Sequence, residues 1–292
     1  MHTGLLATDG RIWRRLAYAG ARFGPRWWLR FSPPVFGVAF GAALPRVRAQ
    51  VRRNLWRVRG QRGALLDGLD VMKTFADYAR CLAESLAMER PEALAATRRI
   101  RGEEYLEQAA ATGRGIMLVT AHAGPWDAAA RLLAGDQRAD VMVVMVPEHD
   151  ERARRLHDRV RERAGLRVAH VGVHPLDALP LLRHLKGGGI AAAQLDRVPG
   201  SARAIEVSLF GAPFRVPEGP FRLAAMAGAP VLPLFVRRVA HFDYEFWVAP
   251  PLLLGRRPSS SELKTAAQSA ATEMERFIRA HPTQWFHFEG EG

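Results

Sequence analysis

Short apolar runs alternate with longer stretches of helical periodicity from residue 61 onward, and this alternation is the main structural signal of the chain. Continuous apolar runs are typical of strands buried on both faces, and they predict strands over residues 115–121 and 140–146. Further short strands are predicted over residues 166–171, 189–195, 205–210, 231–236 and 242–248. Helical spacing predicts helices over residues 65–88, 125–133, 150–164, 176–186, 219–227 and 260–280. The alternation predicts an α/β fold with a central, largely parallel sheet flanked by helices.

Residues 1–60 differ from the rest because arginines and aromatic residues are interleaved there. This segment holds twelve arginines and a single acid, Asp9, so it carries +11 of the net charge of +13. Indole and guanidinium groups together suit the headgroup layer of an anionic membrane. We therefore predict a basic, aromatic, helical segment over residues 1–60 that contacts a membrane surface, followed by an α/β domain over 61–292.

Two alternatives remain for this basic segment. The same residue types suit nucleic acid through phosphate contact and base stacking, although no zinc-finger spacing or RNP-type aromatic strand follows. The aromatic residues would also suit a position at the edge of the core, with the arginines solvated. The membrane surface is favoured, and no nucleic-acid partner is expected.

Composition narrows the class of protein. Of the 292 residues, 48% are apolar and 24% are charged, which is typical of globular proteins. The single cysteine, Cys81, excludes an intramolecular disulfide and predicts a buried residue in a helix. The apolar stretch over residues 31–45 is too short to span a bilayer and is interrupted by Pro33 and Pro34. No signal peptide and no metal site are expected, so the composition predicts a soluble or peripheral protein.

The segment His122-Ala-Gly-Pro-Trp-Asp127 is the strongest candidate for chemistry. A predicted strand ends just before His122, Gly124 and Pro125 suit the start of a helix, and Asp127 then falls in the first helical turn. Because the chain reverses between them, both side chains are expected to converge at the carboxyl end of a strand. The pair His157 and Glu162 has the same spacing, but within a helix its members lie about 140° apart.

An imidazole held by a carboxylate is a general base for a hydroxyl group. Because the chain lacks a Gly-x-Ser-x-Gly elbow, we predict a one-step transfer in which the substrate's own hydroxyl is the nucleophile. His122 would take the proton, and Asp127 would orient its ring. The alternative is that Asp127 only stabilises a helix N-terminus and His122 is an ordinary loop residue.

Several ordered blocks resemble the bacterial lipid A biosynthesis acyltransferase family and, among its wider relatives, the phosphatidylinositol mannoside acyltransferases. The resemblance covers about residues 44–288, and beyond the His122 motif it rests on RVRAQVRRNL (46–55), LDALPLLRHLKGGGIAAAQLDR (176–197), VSLFGAPFRVPEGPFRLAAMAGAPVLPLF (207–235) and HPTQWFHF (281–288). Asp127 departs from the Glu usual in lipid A enzymes, and the usual N-terminal transmembrane anchor is not expected here. Both departures disfavour lipid A as the acceptor but leave the acyl-transfer chemistry intact.

The resemblance implies an O-acyltransferase that moves a fatty acyl chain to a hydroxyl of a lipid or glycolipid. The donor would be a thioester of acyl carrier protein or coenzyme A, with no further cofactor. The protein would be peripheral, at the cytoplasmic face of the bacterial inner membrane. Further site residues implied are the acids Glu148 and Asp196, as site-lining groups, and Arg197 and Arg215, as phosphate contacts. The alternative is a non-catalytic lipid-binding relative of the same fold.

Overall fold

A seven-stranded sheet forms the centre of the computed structural model, which describes residues 18–127, 140–145, 166–171, 176–200 and 202–288, together with Asp158 and Glu162. Its strand order is β1-β9-β8-β2-β5-β3-β4, and all neighbours are parallel except the antiparallel pair β8 and β9. The strands are β1 (Thr97–Arg101), β2 (Ile116–Thr120), β3 (Val141–Met145), β4 (Arg167–His170), β5 (Ile190–Gln194), β8 (Val231–Ala240) and β9 (Asp243–Val248). The predicted α/β class and largely parallel sheet are confirmed.

Helices flank this sheet, and a separate two-stranded hairpin lies beside it. The helices are α1 (Arg26–Ala43), α2 (Pro45–Arg59), α3 (Ala64–Leu86), α4 (Pro91–Leu94), α5 (Glu103–Ala111), α6 (Leu179–Lys186), α7 (Gly219–Ala227) and α8 (Ser260–Ala280), followed by a 3-10 turn at Pro282–Gln284. The hairpin pairs β6 (Ala204–Leu209) with β7 (Ala212–Pro217). Its two turn residues, Phe210 and Gly211, both have positive φ, as a tight hairpin turn requires.

Some elements were not expected from the sequence. Strand β1 has only one apolar residue among its five because it is an edge strand, and β7 contains two prolines. Strand β8 extends to Ala240 because its second half pairs with β9. The helix predicted over 125–133 is described only at Trp126 and Asp127, and the one over 150–164 lies almost wholly outside the described residues.

The two faces of the sheet pack against different helices. Because side chains alternate along a strand, Met117 and Val119 of β2 face one core, which includes buried residues of α6, α7 and α8. Ile116 and Leu118 face a second core, which includes Leu234 and other residues of β8 and β9. The strands are thus covered on both faces, as their continuous apolar runs predict.

Helix α1 runs without interruption through Pro33 and Pro34, contrary to the expectation that they break the apolar stretch. Its buried stripe includes Gly37 and Gly41, which lie directly against Phe75 of α3. A Cβ at Gly37 would stand 2.4 Å from the carbonyl oxygen of Phe75, so the two helices approach closely only because this residue is glycine. Within the described residues, we find no helix with the length and apolarity that crossing a bilayer requires.

The end of α3 is fixed to the sheet by Glu84, whose exposed fraction is 1%. Its carboxylate accepts hydrogen bonds from Nε of Arg238 (2.8 Å) and the hydroxyl of Tyr244 (2.9 Å), and it lies 3.0 Å from Nδ1 of His241. Burial and the Glu84 charge raise the pKa of Tyr244, so its hydroxyl remains a donor. Helix α3 is thereby joined to β8 and β9. The predicted domain division at residue 60 stays a prediction.

Candidate active site

His122 lies two residues beyond the end of β2, at the carboxyl edge of the sheet. The turn that follows contains Gly124, which has φ of +56°. A Cβ at this position would lie 2.0 Å from the carbonyl oxygen of Val236, so only glycine fits. Helical conformation begins at Trp126, and the ring of Trp126 stands edge-to-face on that of His122 at 6.2 Å.

The C-terminal segment of the described chain holds this turn in place. The backbone N–H of Phe286 donates to the carbonyl of His122 (2.7 Å), and the N–H of Gly124 donates to the carbonyl of Gln284 (2.9 Å). Ala123 and Trp285 form an antiparallel bridge between these hydrogen bonds. The segment that contains Trp285 therefore fixes the backbone on which the imidazole of His122 stands.

The carboxylate of Asp196 is the hydrogen-bond partner of the His122 ring. Nδ1 of His122 lies 2.8 Å from Oδ1 of Asp196, and the backbone N–H of His122 donates to both carboxylate oxygens (3.0 and 3.1 Å). Nε1 of Trp285 donates to Oδ2 (3.0 Å). Asp196 is only 1% exposed, so this cluster of donors replaces the water that would otherwise solvate the charge.

These contacts keep Asp196 ionised. Burial alone would raise the pKa of Asp196, but the charge and hydrogen bond of His122 and the nearby ring of His287 outweigh it and hold that pKa well below its usual range. His287 is buried and stacks on Trp285, and its Nδ1 lies 3.8 Å from Oδ2 of Asp196. The site is therefore built around a buried anion at physiological pH.

An ionised carboxylate can only accept hydrogen bonds, so Nδ1 of a neutral His122 must carry the proton. The lone pair is then on Nε2, and this nitrogen is available to accept a proton from a substrate. The His122 side chain is 21% exposed, whereas that of Asp196 is fully buried. A substrate can therefore reach the imidazole, while the carboxylate that orients it is shielded from solvent. General-base catalysis of hydroxyl attack requires this arrangement.

In the structure, Asp196 holds the ring-orienting position that the local sequence pattern predicts for Asp127. Asp127 lies in the first turn of its helix, as predicted, and is half-buried. Asp196 reaches the ring because it follows β5, which pairs in parallel with β2. The carboxyl ends of these two strands therefore lie side by side at one edge of the sheet. Strand adjacency was the missing information, since the order of strands cannot be obtained from their separate apolar runs.

The other predicted site residues are spread more widely. Arg197 is half-buried, and its Nη2 donates to the carbonyl of Phe286 (3.4 Å), next to the His122 turn. Arg215 is exposed on β7, opposite Glu206 in the hairpin, and within the described residues no contact joins it to His122. Glu148 lies outside the described residues. Trp285 and His287 were missed as site residues, although the segment that contains them, HPTQWFHF, is one of the blocks that carry the resemblance.

An apolar pocket, open to solvent, lies on the face of the sheet toward Trp126. Alanine at position 192 on the central strand β5 leaves room in its floor. The lining residues are Leu118, Thr120, Trp126, Val143, Val144, Ala192, Ala193, Gln194, Leu234 and Val236. In the described ranges, no group of three or more His, Cys, Asp or Glu side chains is arranged to hold a metal ion.

Comparisons with known proteins agree on one family. A model of the bacterial lipid A biosynthesis acyltransferases matches residues 14–290 of the chain. A phosphatidylinositol mannoside acyltransferase of Mycobacterium tuberculosis (strain CDC 1551 / Oshkosh) is 28% identical over 247 residues, which cover 81% of this chain and 74% of that protein. A lipid A biosynthesis acyltransferase of Haemophilus influenzae is 26% identical over 185 residues, covering 63% and 55% of the two chains.

Proposed function

The chain belongs to the bacterial lipid A biosynthesis acyltransferase family, and from this membership and the geometry of the His122 site we propose that it transfers a fatty acyl chain from a thioester to a hydroxyl group of a lipid or glycolipid. The observation that carries the proposed mechanism is the hydrogen bond between Nδ1 of His122 and the buried carboxylate of Asp196. It gives the imidazole both the orientation and the tautomer of a general base.

In the proposed reaction, His122 takes one proton from the acceptor hydroxyl and later gives it to the leaving sulfur. Nε2 of His122 takes the proton of the acceptor hydroxyl while the oxygen forms a bond to the thioester carbonyl carbon. The tetrahedral intermediate then expels the thiolate as the C–S bond breaks, and the imidazolium returns the proton to the sulfur. Asp196 stabilises the imidazolium through its charge without itself becoming protonated. No acyl-enzyme forms, because the acceptor attacks the donor directly.

The apolar pocket is the proposed site of the acyl chain. Leu118, Val143, Ala192 and Leu234 offer an apolar wall on one face of the sheet, where a hydrocarbon chain is removed from water. The donor is acyl carrier protein or coenzyme A in thioester form. Both are acidic, and the basic residues of the N-terminal segment favour either of them.

Helix α1 is the proposed membrane contact. Trp27, Phe31, Val35 and Val38 follow one another at helical spacing and are 62%, 61%, 67% and 42% exposed, so an apolar stripe faces outward, away from the buried stripe that packs on α3. Arg30 lies over the ring of Phe31 at 5.5 Å, a pairing that suits an anionic headgroup layer. We place the protein at the cytoplasmic face of the inner membrane, where a lipid acceptor is within reach.

Mass spectrometry of cell-envelope lipids tests the proposal and identifies the acceptor at once. When the gene is removed, one acylated lipid is expected to disappear from the envelope. The same lipid without one of its acyl chains is expected to accumulate. Complementation with the wild type should restore the product, and complementation with His122→Ala should not. An unchanged lipid profile, together with tight lipid binding by the purified protein, would instead support a non-catalytic relative.

The membrane contact is tested separately. Anionic vesicles should bind the wild type and should bind a Trp27→Glu, Phe31→Glu variant more weakly, because both substitutions place a negative charge on the apolar stripe. Equal binding by the two proteins would contradict the role assigned to α1.

A further inference from the structure

One polar side chain of the pocket has a buried amide nitrogen that lacks a hydrogen-bond partner within the described part of the chain. Eight of the ten lining residues are apolar, and the other two are Thr120 and Gln194. Nε2 of Gln194 is buried, and none of the described residues is its hydrogen-bond partner. An amide nitrogen left in this state weakens folding, since its hydration is lost without replacement. A leucine would fill the same space without that cost, so the amide needs another explanation.

The position of Gln194 relative to the catalytic pair, His122 and Asp196, explains why an amide stands in this pocket. Thr120 and Gln194 are in register across the parallel strands β2 and β5. Each lies two residues before a member of the pair, Thr120 before His122 and Gln194 before Asp196. Two residues along a strand span about 6.6 Å. The polar end of the pocket is therefore the end nearest the base, and an acyl chain lying in the apolar part would present its carboxyl end there.

We propose that Nε2 of Gln194 donates a hydrogen bond to the carbonyl oxygen of the acyl thioester and stabilises the negative charge that this oxygen gains during transfer. This inference rests on the proposed acyltransferase function. When the acceptor oxygen attacks, the electron pair of the C=O bond moves to the oxygen, and it returns when the C–S bond breaks. An N–H donor that is shielded from water stabilises that charge most strongly in the transition state.

Gln194→Leu tests the proposal because it removes the donor and keeps the side-chain volume close to that of glutamine. The expected result is a fall in kcat on the order of 10²–10³-fold, with little change in KM for the acyl donor, as for other single oxyanion donors. Thermal stability should stay equal or rise, since an unsatisfied buried donor has been removed. A loss of activity caused by misfolding would show the opposite stability change.

Gln268→Leu provides the matched control. Gln268 on α8 hydrogen-bonds both backbone groups of Ser208, its Oε1 accepting at 2.7 Å and its Nε2 donating at 3.0 Å. The same substitution there should lower stability and leave kcat near the wild-type value. The two variants thus predict opposite patterns, with activity lost in one and stability lost in the other.

The oxygen that Gln194 contacts is identified by comparing straight-chain and 3-hydroxyacyl thioesters of equal length. A donor to the carbonyl oxygen predicts the same loss with both substrates. A wild-type preference for the 3-hydroxyacyl substrate that disappears in Gln194→Leu, with straight-chain kcat unchanged, would overturn the proposal in favour of a hydroxyl contact. Unchanged kcat with both substrates, while His122→Ala is inactive, would refute the role of Gln194 and leave the proposed function standing.

Discussion

Asp196→Asn is the substitution that probes the catalytic pair most sharply. In the wild type, Oδ1 accepts from Nδ1 and the backbone N–H of His122, and Oδ2 accepts from Nε1 of Trp285. An asparagine has one acceptor oxygen and one NH₂ group, so a donor must face a donor at one of these positions. Because Nε1 of Trp285 can only donate, whereas Nδ1 of an imidazole can accept, the NH₂ group is expected to face His122. The ring then carries its proton on Nε2, and this nitrogen cannot act as a base.

The expected loss in kcat is on the order of 10³–10⁴-fold. The upper value is what the same Asp-to-Asn change costs in the serine-protease triad, where it also alters the tautomer. At 1.36 kcal/mol per decade, the range corresponds to about 4–5.4 kcal/mol of transition-state stabilisation. Binding of the acyl donor should change little, since Asp196 is buried and contacts His122 and Trp285 rather than the pocket.

Steady-state transfer from an acyl thioester gives kcat, and circular dichroism confirms the fold of each variant. Asp127→Asn is the comparison, because the structure places Asp196 on Nδ1, and it should lose less than Asp196→Asn. ¹⁵N NMR of labelled histidine adds a direct check, with His122 expected to carry its proton on Nδ1 in the wild type only. The reasoning is refuted if Asp196→Asn keeps its activity within about 10-fold of wild type while Asp127→Asn abolishes it.

Three further predictions concern specificity and stability. Ala192→Leu fills the floor of the pocket and should shift the preference toward shorter acyl thioesters in competition assays, whereas an unchanged chain-length profile would place the acyl chain elsewhere. Glu84→Ala leaves Arg238 and Tyr244 without their buried carboxylate and should lower the free energy of unfolding by about 3–5 kcal/mol in urea titrations. His281 is held neutral, because burial and then the charge of Arg237 lower its pKa to about 4. Since the unfolded chain takes up this proton at higher pH than the folded one, stability should decline as pH falls from 6.5 toward 4, and His281→Phe should show a smaller decline.

The central strands were predictable because their burial on both faces requires runs of apolar residues, which are visible in the sequence. The apolar run of β2 corresponds to a strand covered on both faces, and the helical spacing over residues 260–280 corresponds to α8. Edge strand β1 was not predictable, since TRRIR gains its strand conformation by pairing with β9 rather than from its own side chains. Helix α1 likewise keeps Pro33 and Pro34 because packing on α3 outweighs their local effect.

The candidate active site likewise has one part that the sequence predicts and another that it does not. His122 and the turn at Gly124 follow from a local pattern, in which a strand end, a glycine and a helix start are close in sequence. The pairing of His122 with Asp196 spans 74 positions and depends on which strands are neighbours. The contribution of Trp285 depends on a C-terminal segment that returns to the His122 turn. Such contacts come from topology, which periodicity does not specify.

Acyl transfer by purified wild type and His122→Ala is the most direct test of the account. The substrates are a labelled long-chain acyl thioester and lipids extracted from the cell envelope of a strain lacking the gene. We expect the label to appear in one lipid with the wild type and transfer to fall by a factor on the order of 10²–10⁴ in the variant, with donor binding retained. Transfer at the wild-type rate by His122→Ala would contradict the claim that this imidazole, held by Asp196, takes the acceptor's proton.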